Sequence, residues 1–426
     1  MTSFNRRTFL EQAAACGVAM GMATTVRAAS ANDKVTTALI GCGGRGQSFL
    51  SHCDFVCDVD RNRLGQTAEK GGIDSKRAVT DLRRILDNKD IDAVVVATPD
   101  HWHAPAAIMA CEAGKHVYVE KPCSHNFRES RLLLDAARRN NVVVQHGTQQ
   151  RSTPFTMAAI ESLREGIIGD VLIAKAWNIQ RRDNIGHAEP GQPPAHVDYD
   201  TWVGPAEFLP YQANRFHYDW HWWYNFGTGD IGNDGAHEVD YARWGLGVDS
   251  LPRRVVGLGG KYFHQDDQQF PDTATCVFEY PDVSGAGKLK QLMFEMRLWS
   301  GNYPYNCDSG VEFLGTAGKM VLSKRGRLIV FGPDNRELDG IEPQPRNSQH
   351  FEDFVDAIRN GRRPHADIEE AHRSVSLIHL ANIAVRTGRS LEFNLETETI
   401  VDDPDAHAML GRKYRDAGHW SVPNFA

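Results

Sequence analysis

The chain has few of the features that mark specialised proteins. It carries eight cysteines in 426 residues, at positions 16, 42, 53, 57, 111, 123, 276 and 307. No pair at zinc-ligand spacing is matched by a second pair, so a zinc ribbon is not expected, and a chain of this size needs no disulfide framework. There is no excess of basic charge: the net charge is −8. That argues against a nucleic-acid footprint. No internal repeat or low-complexity tract is present, and no apolar stretch reads as a membrane span. What remains is an ordinary globular composition, 41% hydrophobic and 24% charged, at a length that favours two domains.

Residues 1–29 read as a leader. Arg6-Arg7-Thr8-Phe9-Leu10 is followed by a small-residue apolar run over 13–25 and by Val26-Arg27-Ala28-Ala29. A basic start, a modest apolar middle and a small-residue end are the parts of a signal peptide. The adjacent arginines before x-Phe-Leu resemble a twin-arginine signal, with a general secretory signal as the alternative. The expectation is an exported, periplasmic protein without membrane insertion in its mature form.

Residues 30–150 read as a dinucleotide-binding Rossmann domain. An apolar strand over 35–40 runs into Gly41-x-Gly43-x-x-Gly46, including Gly44 and Arg45, and a short helical run follows over 47–53. In this position Gly41 allows a tight turn, Gly43 lets backbone approach a pyrophosphate, and Gly46 lets helix pack on strand. A second strand over 54–60 delivers Asp58, placed to bond a ribose diol and to repel a 2′-phosphate. NAD is therefore favoured over NADP, although Arg61 and Arg63 stand close enough to serve a phosphate. The near-continuous apolar run 91–97 reads as a strand covered on both faces. It ends in Thr98-Pro99-Asp100-His101-Trp102-His103. The strand 114–119 ends in Glu120-Lys121-Pro122. A lysine at the carboxyl end of a parallel strand faces the ligand crevice, where its ammonium can steady a developing alkoxide. Helices over 104–113 and 127–140 and a strand over 142–145 complete the alternation of a doubly wound parallel sheet.

Together the glycine pattern at 41–46, Cys57-Asp58-Val59-Asp60, the segment 97–103 and Glu120-Lys121-Pro122 resemble the Gfo/Idh/MocA family, that of glucose–fructose oxidoreductase and inositol dehydrogenase. The resemblance covers nearly the whole mature chain. It implies a tightly held nicotinamide cofactor contacted by Gly41, Gly43, Gly44, Arg45, Gly46, Asp58, Thr98, Pro99, His103, Glu120 and Lys121. It also implies a second domain with an open sheet, and sugars or cyclitols as substrates.

Residues 151–426 are expected to form that α+β domain, with a large, mainly antiparallel sheet for substrate binding and oligomerisation. Gln150 and Arg151 mark the crossing and are candidate substrate contacts. An aromatic-rich stretch over 216–224 contains Tyr218 and Trp220. Such rings pack on the C–H faces of sugars, and they equally well fill a core. His217 and His221, four apart, are a weaker candidate metal pair; no metal is expected. The segment 227–244 reads as a helix resembling the family's catalytic segment, in which an acid precedes a histidine by four residues. His237 matches and is the candidate base, titrating near neutral pH. The acid position holds Asn233, which can orient a hydroxyl but not take its proton. Asp234 lies one position on, about 100° away on an ideal helix. Alternating patterns over 274–280 and 288–297 read as antiparallel strands, 311–318 as a hairpin, and 350–360 and 368–388 as amphipathic helices. A partner copy of the chain, as dimer or tetramer, is expected on the open face of the sheet.

Three functions follow. The first is an exported, NAD-dependent oxidoreductase acting on a secondary hydroxyl of a sugar, glycoside or cyclitol, with Lys121, Asn233 and His237 in the catalytic site and Asp234, Tyr218 and Trp220 toward the substrate. The second is a glycosidase that oxidises, eliminates, hydrates and reduces back. The third is a sugar-binding subunit without turnover, for which Asn233 is the chief argument.

Overall fold

The apolar run before the glycine pattern forms β1 (Thr37–Ile40), and all four of its residues are buried. In the computed structural model, which describes residues 34–281, 289–338, 341–342 and 344–415, five further strands join it: β2 (Phe55–Cys57), β3 (Ala78–Val79), β4 (Ala93–Val96), β5 (His116–Val119) and β6 (Val144–His146). Their order is β3-β2-β1-β4-β5-β6 and every pairing is parallel. The order reverses between β1 and β4, which opens a crevice at their carboxyl ends. Alternate side chains explain why the strands read as unbroken apolar runs. Ile40, Val94, Val96 and Val117 face helices Asp100–Glu112 and Phe127–Arg139. Leu39, Val56, Val95 and Tyr118 face the other way, onto helix Arg61–Gly71 and onto Phe354 of helix His350–Asn360, far along the chain.

The second sheet has nine strands: β7 (Val171–Ile179), β8 (Arg254–Gly260), β9 (Thr273–Tyr280), β10 (Lys290–Arg297), β11 (Ser309–Gly315), β12 (Gly318–Ser323), β13 (Arg327–Phe331), β14 (Leu391–Asn394) and β15 (Thr399–Ile400), ordered β13-β12-β11-β7-β10-β9-β8-β14-β15. The α/β architecture with a second, mainly antiparallel sheet is therefore present. One pairing departs from the sequence expectation: β10 runs parallel to β7. Helices Gly235–Leu246 and Ile368–Thr387 cover one face. They approach closely because glycines face them: a Cβ on Gly257 would lie 2.8 Å from Val385. The opposite face leaves Val256 and Leu258 exposed.

Residues from Val35 onward belong to one compact unit. The leader reading lies outside the described residues. Among the described residues no helix is long and apolar enough to cross a membrane.

Candidate active site

The glycine loop is shaped by what a side chain would strike. Gly41 has φ +98°, and a Cβ there would sit 2.5 Å from the carbonyl oxygen of Ala97, so β1 and β4 can meet only over a bare residue. A Cβ on Gly46 would fall 2.0 Å from the oxygen of Gly41; this glycine serves close packing rather than the cavity wall. Above Gly44 the space is open. The run after the loop is a short 3-10 helix, Gly46–His52, where the sequence reads as a short helical run.

From the loop a cavity of about 320 Å³ extends across the crevice. Gly41, Gly43, Gly44, Arg45, Asp58, Thr98, Pro99, His103, Glu120, Lys121 and Asn233 all line it, so the structure brings together nearly the whole predicted cofactor set. Its parts are fastened to one another. Arg45 Nε donates to Glu120 at 2.7 Å, tying the glycine loop to the end of β5. His103 bridges the Thr98 and Pro122 carbonyls at 2.7 and 2.6 Å, tying the ends of β4 and β5. Asp58 accepts the backbone N–H groups of Cys42 at 2.7 Å and Asp60 at 2.8 Å. Burial raises its pKa, against those two bonds. A carboxylate has about four acceptor positions, so capacity remains for a ribose diol. Thr98 Oγ1 is buried without a partner on this wall. An open glycine backbone, an acceptor at the β2 end and an orphaned hydroxyl form a donor and acceptor set that fits a dinucleotide.

Lys121 projects from the end of β5 across to the second half of the chain. Its Nζ donates to the Asn233 side-chain oxygen at 2.8 Å and to the Asn233 carbonyl. The sequence expectation of one helix through Asn233 and His237 is corrected here. Helix Gly229–Asn233 ends, Asp234 makes the junction, and a new helix begins at Gly235. The 100° rotation assumed for Asp234 therefore does not hold. At the junction Asp234 pairs with Arg182, which also donates to Asp230 at 2.9 Å and to the Tyr218 hydroxyl at 3.0 Å. Asp230 also accepts Trp222 Nε1 at 2.6 Å. Burial raises Asp230 despite Arg182. Burial works the same way on Asp234, but Lys121, Arg182 and Lys324 outweigh it and hold this carboxylate at about 2.

His237 is half-buried on the first turn after the break. It does not titrate near neutral pH, as the sequence reading supposed. Burial, with Lys324 and Lys121 nearby, pushes its pKa well below the ordinary histidine value. It is an uncharged acceptor throughout the neutral range. Asp100 is the opposite case: burial raises it to about 7, against a 2.6 Å bond from Thr228.

Gln150 and Arg151 lie elsewhere, and neither Asp234 nor His237 is among the residues that line the cavity. Gln150 accepts from Thr156 at 2.7 Å, away from the cavity wall. Arg151 is buried in an ion pair with Asp240 at 2.9 Å and reaches Glu370 at 3.2 Å, a brace inside the second half. The aromatic stretch divides. Phe216, His217, Tyr218, Trp220 and His221 reach the cavity, while Trp223 is buried in an apolar cluster with Tyr199 and Phe226 to which Phe216 and Trp220 also belong. His217 and His221 do not share a helix. His217 stands at φ +58° with Nε2 3.4 Å from Asp60, and His221 stacks on Trp220. Sequence reasoning missed Arg182 and Asp230, and it missed Thr201 and Trp202 as cavity residues. All stand in irregular or short segments without periodicity.

Two family models match this sequence. One, described as an oxidoreductase family with an NAD-binding Rossmann fold, spans residues 16–148. The other, described as the C-terminal alpha/beta domain of an oxidoreductase family, spans 176–269 and 316–421. Levoglucosan dehydrogenase of Pseudarthrobacter phenanthrenivorans is 28% identical over 319 residues, covering 68% of this chain and 74% of that protein. scyllo-Inositol 2-dehydrogenase (NAD(+)) of Bacillus subtilis is 24% identical, covering 85% and 97%. A glycosyl hydrolase family 109 protein of Shewanella sp. (strain ANA-3) is 30% identical over 41% of this chain and 46% of its own length. Among solved structures, levoglucosan dehydrogenase in complex with NADH superposes with a TM-score of 0.64 at 19% identity, over 84% of this chain and 99% of that one.

Proposed function

The chain belongs to this Gfo/Idh/MocA oxidoreductase family with its NAD-binding Rossmann fold, and from that premise we propose that it oxidises a secondary hydroxyl of a sugar, glycoside or cyclitol after export from the cytoplasm. The observation that carries this reading is the junction of Lys121 with Asn233 on the same cavity wall as the bare backbone of Gly41, Gly43 and Gly44. The backbone at Gly41, Gly43 and Gly44, with Asp58 and Thr98, would hold a nicotinamide dinucleotide, which would supply the hydride acceptor for the carbinol carbon. The Lys121 ammonium stabilises the oxygen as it becomes alkoxide-like, the kind of aimed charge that is effective in a site shielded from water. His237, on the turn after Asn233, is the residue assigned to accept the hydroxyl proton, against a depressed pKa that makes it a weak base. Asn233 orients Lys121, and Asp234 with Tyr218 offers hydrogen bonds to neighbouring hydroxyls. The relatives named for levoglucosan and scyllo-inositol support a polyhydroxylated ring as substrate.

A second reading is supported by the glycosyl hydrolase family 109 relatives: oxidation followed by elimination, hydration and reduction, with the cofactor restored each cycle. Mass spectrometry of the denatured pure protein, then a glycoside panel followed at 340 nm and for free aglycone, tests both. Recovered NAD with net NADH formation is the expected result. Aglycone release without net NADH would select the glycosidase, and recovery of no nicotinamide would overturn both.

Export rests on the leader and on Arg6-Arg7. Replacing the pair by Lys-Lys should strand the protein in the cytoplasm; continued export would point to another route. The exposed Val256 and Leu258 face of the second sheet supports a homo-oligomer.

A further inference from the structure

One wall of the cavity comes from neither sheet. Residues 194–226 leave the second half of the chain, cross over the first, and return. At their near end they pair with the backbone just beyond β2. Asp60 and Val197 form an antiparallel bridge, Arg61 N–H donates to the His196 carbonyl at 3.0 Å, and Asp198 N–H donates to the Val59 carbonyl at 3.1 Å. The Arg61 side chain donates to the Ala195 carbonyl at 2.6 Å. His217 comes within 3.4 Å of Asp60, on the side where Asp58 stands ready for the ribose. From this strap Thr201, Trp202, Phe216, His217 and Tyr218 line the same cavity as the glycine loop.

The strap is built as a solid body. Trp202 contacts Phe216 with ring centroids 5.0 Å apart and Phe226 at 4.8 Å, and it stacks on Tyr199 at 5.6 Å. It is also fixed from behind. Trp102 Nε1 donates to the Thr201 and Trp202 carbonyls at 3.1 and 3.0 Å, and His101 Nε2 donates to the Trp202 carbonyl at 2.8 Å. Gly204 lies so close to Trp102 that a Cβ would sit 2.1 Å from its ring. The last described residues run along the back of the strap. Tyr414 bridges Ala206, Arg415 N–H donates to the Pro205 carbonyl at 3.0 Å, and the Arg415 guanidinium pairs with Asp200. Arg412 ties this stretch to the His101 carbonyl at 2.8 Å and to buried Glu129 at 2.7 Å.

We propose that this strap, pinned by residues 412–415, is a lock over the adenosine half of the bound dinucleotide, and that its anchors set the rate at which the cofactor leaves. The inference rests on the NAD reading above. A dinucleotide lying along the glycine loop toward Asp58 would lie between the first sheet and the strap. Opening of the Val59–Asp60 pairing would then widen its way out. Arg61 holds the strap where it begins, at Ala195 and His196, and Arg415 holds it a few residues on, at Asp200 and Pro205; neither lines the cavity, so they set the opening without touching the ligand.

The test measures exchange. Holoenzyme loaded with isotopically labelled NAD is chased with excess unlabelled NAD, and the label retained is followed over time. Wild type, Arg61→Ala/Arg415→Ala and Arg254→Ala are compared. Arg254 pairs with exposed Glu392 on the far edge of the second sheet and serves as the control. The expected result is release at least tenfold faster in the double variant and unchanged in the control. Equal rates in wild type and double variant would overturn the lock, as would an equal acceleration in the control. If circular dichroism shows the double variant unfolded, Arg415→Ala alone is read by the same criterion, with release expected about threefold faster. A wild-type protein that takes up no NAD would overturn the functional reading and the lock with it. NAD uptake with strap-independent exchange overturns the lock alone.

Discussion

The two walls of the cavity are made differently. The dinucleotide-facing wall is backbone: glycines without side chains, strand ends, and carbonyls bridged by His103. The other wall depends on charge: Lys121 and Asn233 line it, beside the broken helix where Asp234 and buried Asp230 share Arg182. A wall of backbone is set by sterics, which a single glycine or proline decides. A wall of buried charges is set by mutual neutralisation, so each member depends on the others.

The sharpest way to separate the two walls is Lys121→Ala. It should reduce turnover by about 10²–10³-fold, the effect of removing one aimed donor at a developing oxyanion. The bound cofactor, read by mass spectrometry, should remain near full occupancy. Loss of cofactor together with turnover would show that the walls are not separable. A smaller effect is expected from Arg182→Met, which leaves Asp230 and Asp234 without their shared cation. The cost should be on the order of 3 kcal/mol at pH 7, measured by denaturant unfolding. Its pH dependence has a definite sign. Asp234 has a folded pKa of about 2, below its ordinary 3.8. Its stabilisation is therefore fully present above about pH 4 and lost as pH falls through 2. In the variant Asp230 also sheds its uncompensated charge on protonation. The deficit between variant and wild type should narrow as pH is lowered from 7 to 3. A deficit constant over that range would mean that charge does not hold this wall.

The same distinction decides what the sequence discloses. Gly41, Gly43, Asp58, Thr98 and Lys121 were legible because a strand end followed by a glycine or a proline leaves a pattern at fixed spacing. The parallel sheet and the sites at its strand ends follow from alternation of strands and helices. On the other wall the sequence names Asn233 and His237 but not their geometry. At the helix break Asp234 pairs with Arg182, 52 residues away, and that pairing has no local signature. For the same reason His237 reads as a neutral-pH titrator. Its depressed pKa arises from burial and from Lys324, on a segment after β12 that no spacing rule connects to it. Arg151 illustrates the reverse error: its position at the crossing suggested substrate, and only burial against Asp240 identifies it as a brace.

Phe354, from helix His350–Asn360, fills the layer beneath Leu39, Val95 and Tyr118. During synthesis, the six strands of the first sheet leave the ribosome more than two hundred residues before the helix that seals them. Until then the part of one face beside Leu39, Val95 and Tyr118 lacks the cover of Phe354. The nascent first half is therefore an incomplete body awaiting its last piece, and such contacts between chain ends slow folding. A fragment cut at residue 150 would carry every glycine and acid of the dinucleotide cradle and still lack the floor on which the cradle stands.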